Sequence, residues 1–213
     1  MSDVEVTDGK IILPGRLILS SHSRGIIIFA HGSGSSRLSP RNLQVAETLN
    51  HANFGTLLFD LLSVPEAEDR TNVFDIPFLA SRLIMATHWI KKQKLGTRLP
   101  IGYFGASTGA GAALWAAADL GKEISAVVSR GGRPDLAIPR LKEVTAPTLL
   151  LVGGEDEVVI EMNREALRYL AIGKLIIVPG ASHLFEEPGT LESVSEHAKK
   201  WFRANFEQSS LVA

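Results

Sequence analysis

The stretch IGYFGASTGAGAAL, residues 101–114, decides the fold of this chain. An apolar run ends here in a cluster of the smallest residues, and the apolar pattern then resumes with helical spacing. Ser107 lies between Gly105 and Gly109, in a turn that tolerates little beyond Gly, Ala, Ser and Thr. A tight strand-to-helix turn explains the small residues but does not explain the serine. We therefore predict that the turn presents the Ser107 hydroxyl at the end of a strand.

Short apolar runs alternate with longer amphipathic segments on both sides of this turn. Strands are predicted at residues 25–30, 54–60, 100–104, 124–130, 148–153 and 174–180, after an opening hairpin with a tight turn at Pro14 and Gly15. Helices are predicted from Ser39 and Pro40, from Ile76 to Ile90, from the small-residue turn through Trp115, from Met162 to Leu170, and from Leu191 to Trp201. This alternation predicts an α/β fold, with a mainly parallel sheet covered by helices on both faces and an antiparallel edge.

Two segments between these elements are predicted to be short connections. VPEAEDRTNVFD, residues 64–75, is rich in acids and is predicted to be a polar loop. GGRPDLAIPRLKEV, residues 131–144, is predicted to be a loop with a short helix. Because only this short segment separates the strands at 124–130 and 148–153, we expect an open site at the carboxyl ends of the strands.

Composition narrows the class of protein. The length of 213 residues predicts one domain over residues 1–213, with ordinary globular usage of 45% apolar and 21% charged residues. A net charge of −1 argues against nucleic acid as a partner. The absence of cysteine excludes a thiolate nucleophile, disulfides and thiolate metal sites. Without a secretory signal or a membrane span, we expect a cytoplasmic protein.

Three strand ends carry groups that suit one reaction. Ser107 follows one predicted strand, Asp156 follows the next but one, and His183 follows the last. A serine hydroxyl needs a base to take its proton, and the base needs an acid to orient it. We predict Ser107 as nucleophile, His183 as base and Asp156 as the orienting acid. The neighbouring Glu155 and Glu157 are interpreted as solvated, or as capping the helix that follows.

A fourth strand end is predicted to complete the site. The loop HGSGSS, residues 31–36, follows the strand at 25–30. A tetrahedral intermediate needs backbone N–H donors for its oxyanion, and we predict the amides of Ser33 and Thr108 for this role. His31 is interpreted as a structural residue that holds the loop. No pair of histidines has metal-ligand spacing, so neither a metal nor another cofactor is expected.

Three arginines fall at the same end of the predicted sheet, two of them in loops and one at the last position of the strand 124–130. Arg37, Arg130 and Arg133 are candidates for binding a carboxylate on the substrate. The alternative is that they are solvated or pair with the acidic residues 66–69. The sequence does not decide between these roles.

The chain resembles the α/β-hydrolase superfamily, and within it the dienelactone hydrolase group. The resemblance covers essentially the whole chain and rests on HGSGSS, GASTG, GGEDEVV and GASHLF, in that order. It implies an α/β-hydrolase fold, a nucleophile elbow at Ser107 and an acid at Asp156. Dienelactone hydrolases carry cysteine in the elbow, whereas this chain has serine there. That difference favours general serine-esterase chemistry over lactone specificity.

The predicted function is therefore that of a carboxylesterase working through a Ser-His-Asp triad and an acyl-enzyme. A lactone hydrolase, a thioesterase or an acyltransferase would use the same three residues and differ in leaving group or acceptor. A non-catalytic binding protein on the same fold is a further alternative. The expected partner is a small ester, lactone or thioester, and the sequence does not indicate an oligomeric state.

Overall fold

The computed structural model describes residues 2–96 and 98–212 of the chain, with side chains described up to residue 208. Within these residues the strands are β1 Ser2–Thr7, β2 Ile12–Ile18, β3 Ile26–Ala30, β4 Gly55–Phe59, β5 Ile101–Ala106, β6 Ile124–Arg130, β7 Thr148–Gly153 and β8 Gly173–Val178. They form a sheet in the order β1-β2-β4-β3-β5-β6-β7-β8. The β1–β2 and β2–β4 pairs are antiparallel, and the other neighbours are parallel. The predicted fold class and opening hairpin are confirmed.

Helices cover both faces of this sheet. They are α1 Pro40–His51, α2 Val64–Glu68, α3 Arg70–Phe74, α4 Ile76–Lys91, α5 Thr108–Leu120, α6 Glu157–Leu167 and α7 Thr190–Val212, with 3₁₀ helices at Gly121–Glu123 and Pro134–Glu143. Apolar residues of α1 and α7 pack against one face, and those of α4 and α5 pack against the other. The 3₁₀ helix Pro134–Glu143 lies where a cap domain would be inserted, and no separate cap is present among the described residues. No described helix has the length and apolar character needed to cross a bilayer.

The residues of β3 show why the sheet has two cores. All five are buried, as expected for a strand covered on both faces. Ile28 belongs to the core beneath α4 and α5, whereas Ile27 and Phe29 belong to the core beneath α1 and α7. Successive side chains point to opposite faces, so one apolar run supplies both cores.

The predicted turn at Pro14 and Gly15 is wrong. Both residues lie inside β2, and the chain instead reverses after β1, at Gly9, whose φ is +93°. A Cβ at Gly15 would lie 3.2 Å from Val4 Cγ2 and 3.3 Å from Phe59 Cβ, so this glycine permits close strand packing. The β2–β4 ladder begins at Gly15, and the missing N–H of Pro14 therefore removes no bond to β4.

The predicted polar loop at residues 64–75 is also wrong, because α2 and α3 occupy most of it. The acids that suggested a loop are largely helix caps. Glu66 accepts a hydrogen bond from the Ser63 amide at 2.9 Å, completing a capping box. Asp69 caps α3 and Asp75 caps α4. Neither short helix contains a buried residue.

Strand order brings two of the predicted loops together. The order of the parallel strands reverses at β3, which lies between β4 and β5. A crevice forms at such a point outside the carboxyl ends of the strands. The loop after β3 and the turn after β5 border this crevice, and the ends of β6, β7 and β8 follow beside it.

Candidate active site

Ser107 joins β5 to α5 in a backbone conformation that is rare for a residue with a side chain. Its φ is 50° and its ψ is −124°. Its carbonyl oxygen accepts hydrogen bonds from the amides of Ala110 and Arg133, each at 3.0 Å. Its own amide donates to the Arg130 carbonyl at 3.3 Å. Surrounding hydrogen bonds therefore hold the strained turn, as expected where strain is retained at a functional site.

The glycines on either side of Ser107 are required by close backbone approach. A Cβ at Gly105 would lie 2.5 Å from Ala110 Cα. A Cβ at Gly109 would lie 2.3 Å from the Ala30 carbonyl oxygen. Both distances are far below van der Waals contact, so only glycine lets α5 begin this close to β3 and β5.

His183 and Asp156 meet at the carboxyl end of the sheet. His183 Nδ1 lies 2.6 Å from Asp156 Oδ2. An ionised carboxylate can only accept, so in the neutral imidazole Nδ1 is the protonated nitrogen and Nε2 is the one with a free lone pair. Glu155 and Glu157 are exposed, and Glu157 lies in the first turn of α6, where a negative charge is favourable.

Gly131 keeps the His183 loop close to the Ser107 turn. A Cβ at Gly131 would lie 3.0 Å from the His183 carbonyl oxygen and 3.6 Å from His183 Cε1. Gly131 directly follows Arg130, whose carbonyl accepts the Ser107 amide. Among the described residues no hydrogen bond joins the side chains of Ser107 and His183. Such contacts are often long before a substrate binds.

The loop after β3 lies directly against the elbow. A Cβ at Gly32 would lie 3.0 Å from Ser107 Cβ. The Ser33 amide donates to Thr108 Oγ1 at 2.9 Å, so a side chain of α5 holds this loop. The Thr108 amide is at the first position of α5 and has no acceptor within the helix. The two amides predicted for the oxyanion therefore belong to Ser33 and Thr108, which are joined by a hydrogen bond and lie beside Ser107.

His31 fixes the start of the same loop. Its Nε2 accepts the Leu61 amide at 3.0 Å, so Nδ1 carries the proton and donates to the Gly32 carbonyl, also at 3.0 Å. Burial is the main cause that lowers the pKa of His31 below its ordinary value, because the charged form would lose its hydration. The ring is a neutral link between the loops after β3 and β4.

The buried neutral ring of His31 makes the free energy of unfolding depend on pH. Because the pKa of His31 is lower in the folded protein than in the unfolded chain, the unfolded chain binds more protons below about pH 6.5, and protons favour unfolding. We expect the free energy of unfolding to fall from pH 7 towards pH 5, with His31 contributing at most about 1.4 kcal/mol per pH unit. His31→Gln should be less stable at pH 7 and show a shallower slope in urea titrations. His88→Gln, at an exposed position, is the control, and equal slopes for all three proteins would contradict the assignment.

The three predicted arginines lie in different surroundings. Arg37 pairs with Asp60 at 2.5 Å, and Arg133 forms two bonds to Asp135, at 2.9 and 2.8 Å. The Asp135 partner raises the pKa of Arg133. Arg130 is 7% exposed, and its side chain forms no ion pair with a described residue. None of the three pairs with residues 66–69 in the described parts of the chain, so that alternative is wrong.

A cleft of about 510 Å³ opens beside Ser33 and Thr108. Its walls are residues 31–36, residues 60–64, Ala67, Arg70, Val73, Phe74, Leu79 and Thr108. The α2–α3 segment supplies much of the apolar wall. Its acidic residues suggest a polar loop in the sequence and so conceal this role. Within the described residues, no group of three or more His, Cys, Asp and Glu is placed to hold a metal ion.

The fold and the elbow define the class of this protein. The strand order, the strained serine between β5 and α5 and the His–Asp pair beyond the later strands are the features of α/β-hydrolases. Residues 25–155 match the family described as alpha/beta hydrolase fold. The chain belongs to this family.

Individual relatives extend the comparison. The chain is 53% identical to a dienelactone hydrolase of Anabaena variabilis, with a TM-score of 0.92 and coverage of 96% of this chain and 97% of that one. It shares its fold with Est1E of Butyrivibrio proteoclasticus, at 17% identity, a TM-score of 0.83, and coverage of 97% and 100%. A Mycobacterium tuberculosis protein named as a phosphoribosyl transferase is 58% identical over 202 residues. These are 94% of this chain but 45% of that protein, so the chain spans less than half the length of this curated relative.

Proposed function

We propose that this α/β-hydrolase is a serine esterase that cleaves ester bonds through an acyl-enzyme. The observation that carries the proposal is the φ of 50° at Ser107, between the last residue of β5 and the first turn of α5. A non-glycine residue is seldom held in that conformation unless the strain serves a site. Here it places a hydroxyl beside a helix N-terminus, where negative charge is favoured.

Each residue of the site has a role in the proposed reaction. His183 Nε2 takes the proton of Ser107 Oγ as that oxygen attacks the ester carbonyl, and Asp156 stabilises the imidazolium that forms. The Thr108 and Ser33 amides donate to the oxyanion of the tetrahedral intermediate. The intermediate collapses, and the leaving alcohol takes its proton from His183. Water, deprotonated by the same histidine, then releases the acid and restores Ser107.

Besides the proposed oxyanion, the Ser33 amide has a second acceptor, the hydroxyl of Thr108. It donates to Thr108 Oγ1 at 2.9 Å. In the proposed reaction the developing oxyanion attracts this amide more strongly than the neutral hydroxyl does, because a hydrogen bond to an ionised acceptor is stronger. The Thr108 hydroxyl therefore keeps the donor near its working position before the substrate arrives.

Hydrolysis of a lactone is a second candidate. The Anabaena relative that carries the name dienelactone hydrolase is 53% identical to this chain over nearly its whole length. A lactone is a cyclic ester, so the same attack applies, but the leaving alkoxide stays joined to the acyl group. A panel of lactones, open-chain esters and thioesters, with added alcohols as acyl acceptors, separates lactonase, esterase, thioesterase and acyltransferase activity.

Labelling with a fluorophosphonate probe tests the proposal directly. We expect one adduct per chain on Ser107, located by mass spectrometry, because the probe reacts with an activated serine. His183→Ala should fold and label far more slowly, since the base is lost. A folded wild-type protein that takes up no probe would instead favour a binding protein on a hydrolase fold.

The apolar wall of the cleft predicts a size preference for the acyl group. Ala67 lies on α2 and lines the cleft, so Ala67→Trp should fill part of it. We expect kcat/KM for p-nitrophenyl octanoate to fall by roughly tenfold or more, while the acetate ester is little affected. Glu68→Trp places the same side chain at the next position of α2, outside the cleft lining, and is the control. Equal losses for both esters in Ala67→Trp would contradict an acyl-binding role.

A further inference from the structure

Arg130 is a buried cation without a counter-ion at the end of β6. Its residue is 7% exposed, and its Nε is buried without a hydrogen-bond partner. The guanidinium forms neither an ion pair nor a hydrogen bond with any residue in the described ranges, unlike Arg37 and Arg133. Removing an unpaired charge from water costs several kcal/mol, so such residues are rare unless something compensates them.

The side chain of Arg130 lies on the α1 and α7 face of the sheet. The preceding residue, Ser129, points to the opposite face, where its Oγ would clash with a Cβ at Gly132. Neighbouring residues of a strand face opposite ways, and the Arg130 guanidinium accordingly lies 5.8 Å from the ring centroid of Phe185. Phe185 is two residues beyond His183, so the guanidinium lies beside the segment that carries His183.

A second arginine approaches from α1. Arg41 lies in the first turn of that twelve-residue helix, and its Nε is likewise buried without a partner. Its Nη1 donates to Glu186 at 3.1 Å. Burial and the nearby charge of Arg41 lower the pKa of Arg130 to about 10, so both effects act against its charged form. The positive end of the α1 dipole adds to the same field.

We propose that Arg130, together with Arg41 in the first turn of α1, binds a small oxyanion beside the segment that carries His183. The oxyanion is a carboxylate or a phosphate. Each contributes a buried, unpartnered Nε–H, and guanidinium groups match the oxygen spacing of these anions. Buried polar atoms without partners commonly mark a place where a water or an ion belongs. One anion would satisfy both donors and offset the mutual repulsion of two cations. The anion is either free or a charged group of the substrate.

Inorganic phosphate, titrated against the full chain with chloride at matched ionic strength, tests this site. We expect millimolar phosphate to raise the thermal midpoint of the wild type by about 3 °C or more and to give a saturable heat in isothermal titration. Arg130→Met should be at least as stable as the wild type without phosphate, because an unpaired buried charge is gone, and should lose the phosphate shift. Arg41→Met should also lose it.

Arg168→Met, at an exposed position on the far end of α6, is the matched control and should keep the wild-type response. If Arg130→Met responds to phosphate like the wild type, or if the wild type does not respond at all, the proposal is overturned. The readout is binding, so it does not depend on the proposed esterase activity. Competition kinetics then identify the source of the anion. Phosphate should raise KM for a carboxylate-bearing ester alone if the substrate supplies it, and for no ester if the anion is free.

Discussion

Replacing Ser107 by alanine is expected to abolish ester turnover while leaving the protein folded. The hydroxyl is the proposed nucleophile, so no acyl-enzyme can form without it. We expect kcat to fall by about 10⁴-fold or more, since the remaining site can only position substrate and water. Stability should change by less than about 1 kcal/mol, because alanine meets the same backbone strain as serine and removes no core packing. Steady-state kinetics with p-nitrophenyl esters and urea unfolding measure the two effects.

The control for this substitution is Ser81→Ala. Ser81 is exposed on α4, where its hydroxyl donates to the Phe78 carbonyl. This variant should retain wild-type turnover. An unchanged rate in Ser107→Ala would show that another group attacks the substrate, and the serine mechanism would then be wrong.

Gly109→Ala should cause the largest loss of stability among the single substitutions considered. The added Cβ would lie 2.3 Å from the Ala30 carbonyl oxygen and 2.5 Å from that of His31. These are backbone atoms of β3 and of the loop that follows, so neither can rotate away. We expect a loss of roughly 3 kcal/mol in the free energy of unfolding, because α5 must move away from the sheet. Urea unfolding followed by circular dichroism measures it.

Gly111→Ala is the matched control in the same helix. There the nearest atom to an added Cβ is the Arg133 carbonyl oxygen, at 3.0 Å, which requires only a small adjustment. Alanine is also favoured over glycine in a helix by about 1 kcal/mol. We therefore expect this variant to lie within about 1 kcal/mol of the wild type. Gly109→Ala with wild-type stability would mean that α5 does not need its close approach to β3.

The order of strands and helices could be predicted well, because the spacing of apolar residues distinguishes strands from helices and the turn residues mark their ends. The strands at residues 124–130 and 148–153 agree with β6 and β7 to the residue. Pro14 and Gly15 give an ambiguous signal, because the same pair suits a tight turn or a crowded position inside a strand. Only the neighbours supplied by β1 and β4 distinguish the two.

The site could be predicted in part for a similar reason. Residues that follow strand ends, such as Asp156 and His183, meet because parallel strands share an edge, and the structure brings this pair together. Pairings of long side chains depend on loop geometry that no periodicity encodes. Arg37 therefore meets Asp60, which follows β4, and the Arg130 guanidinium lies near the ring of Phe185. The cleft wall formed by α2 and α3 could not be predicted, because helix caps and loops use the same acidic residues.

Because α2 and α3 are capped by residues at their own ends, substitutions between the caps should be tolerated. Ser63, Glu66, Asp69 and Asp75 terminate these helices locally, and no residue of either helix is buried. The cleft-lining side chains of α2 and α3 are therefore separate from the core, whereas Leu61 and Leu79 belong both to the cleft wall and to the core that holds the sheet together. Mutational drift over residues 64–74 can alter which molecules enter the cleft while the proposed catalytic residues stay in place. For directed evolution, this segment is the place to randomise first, with the four capping residues kept constant.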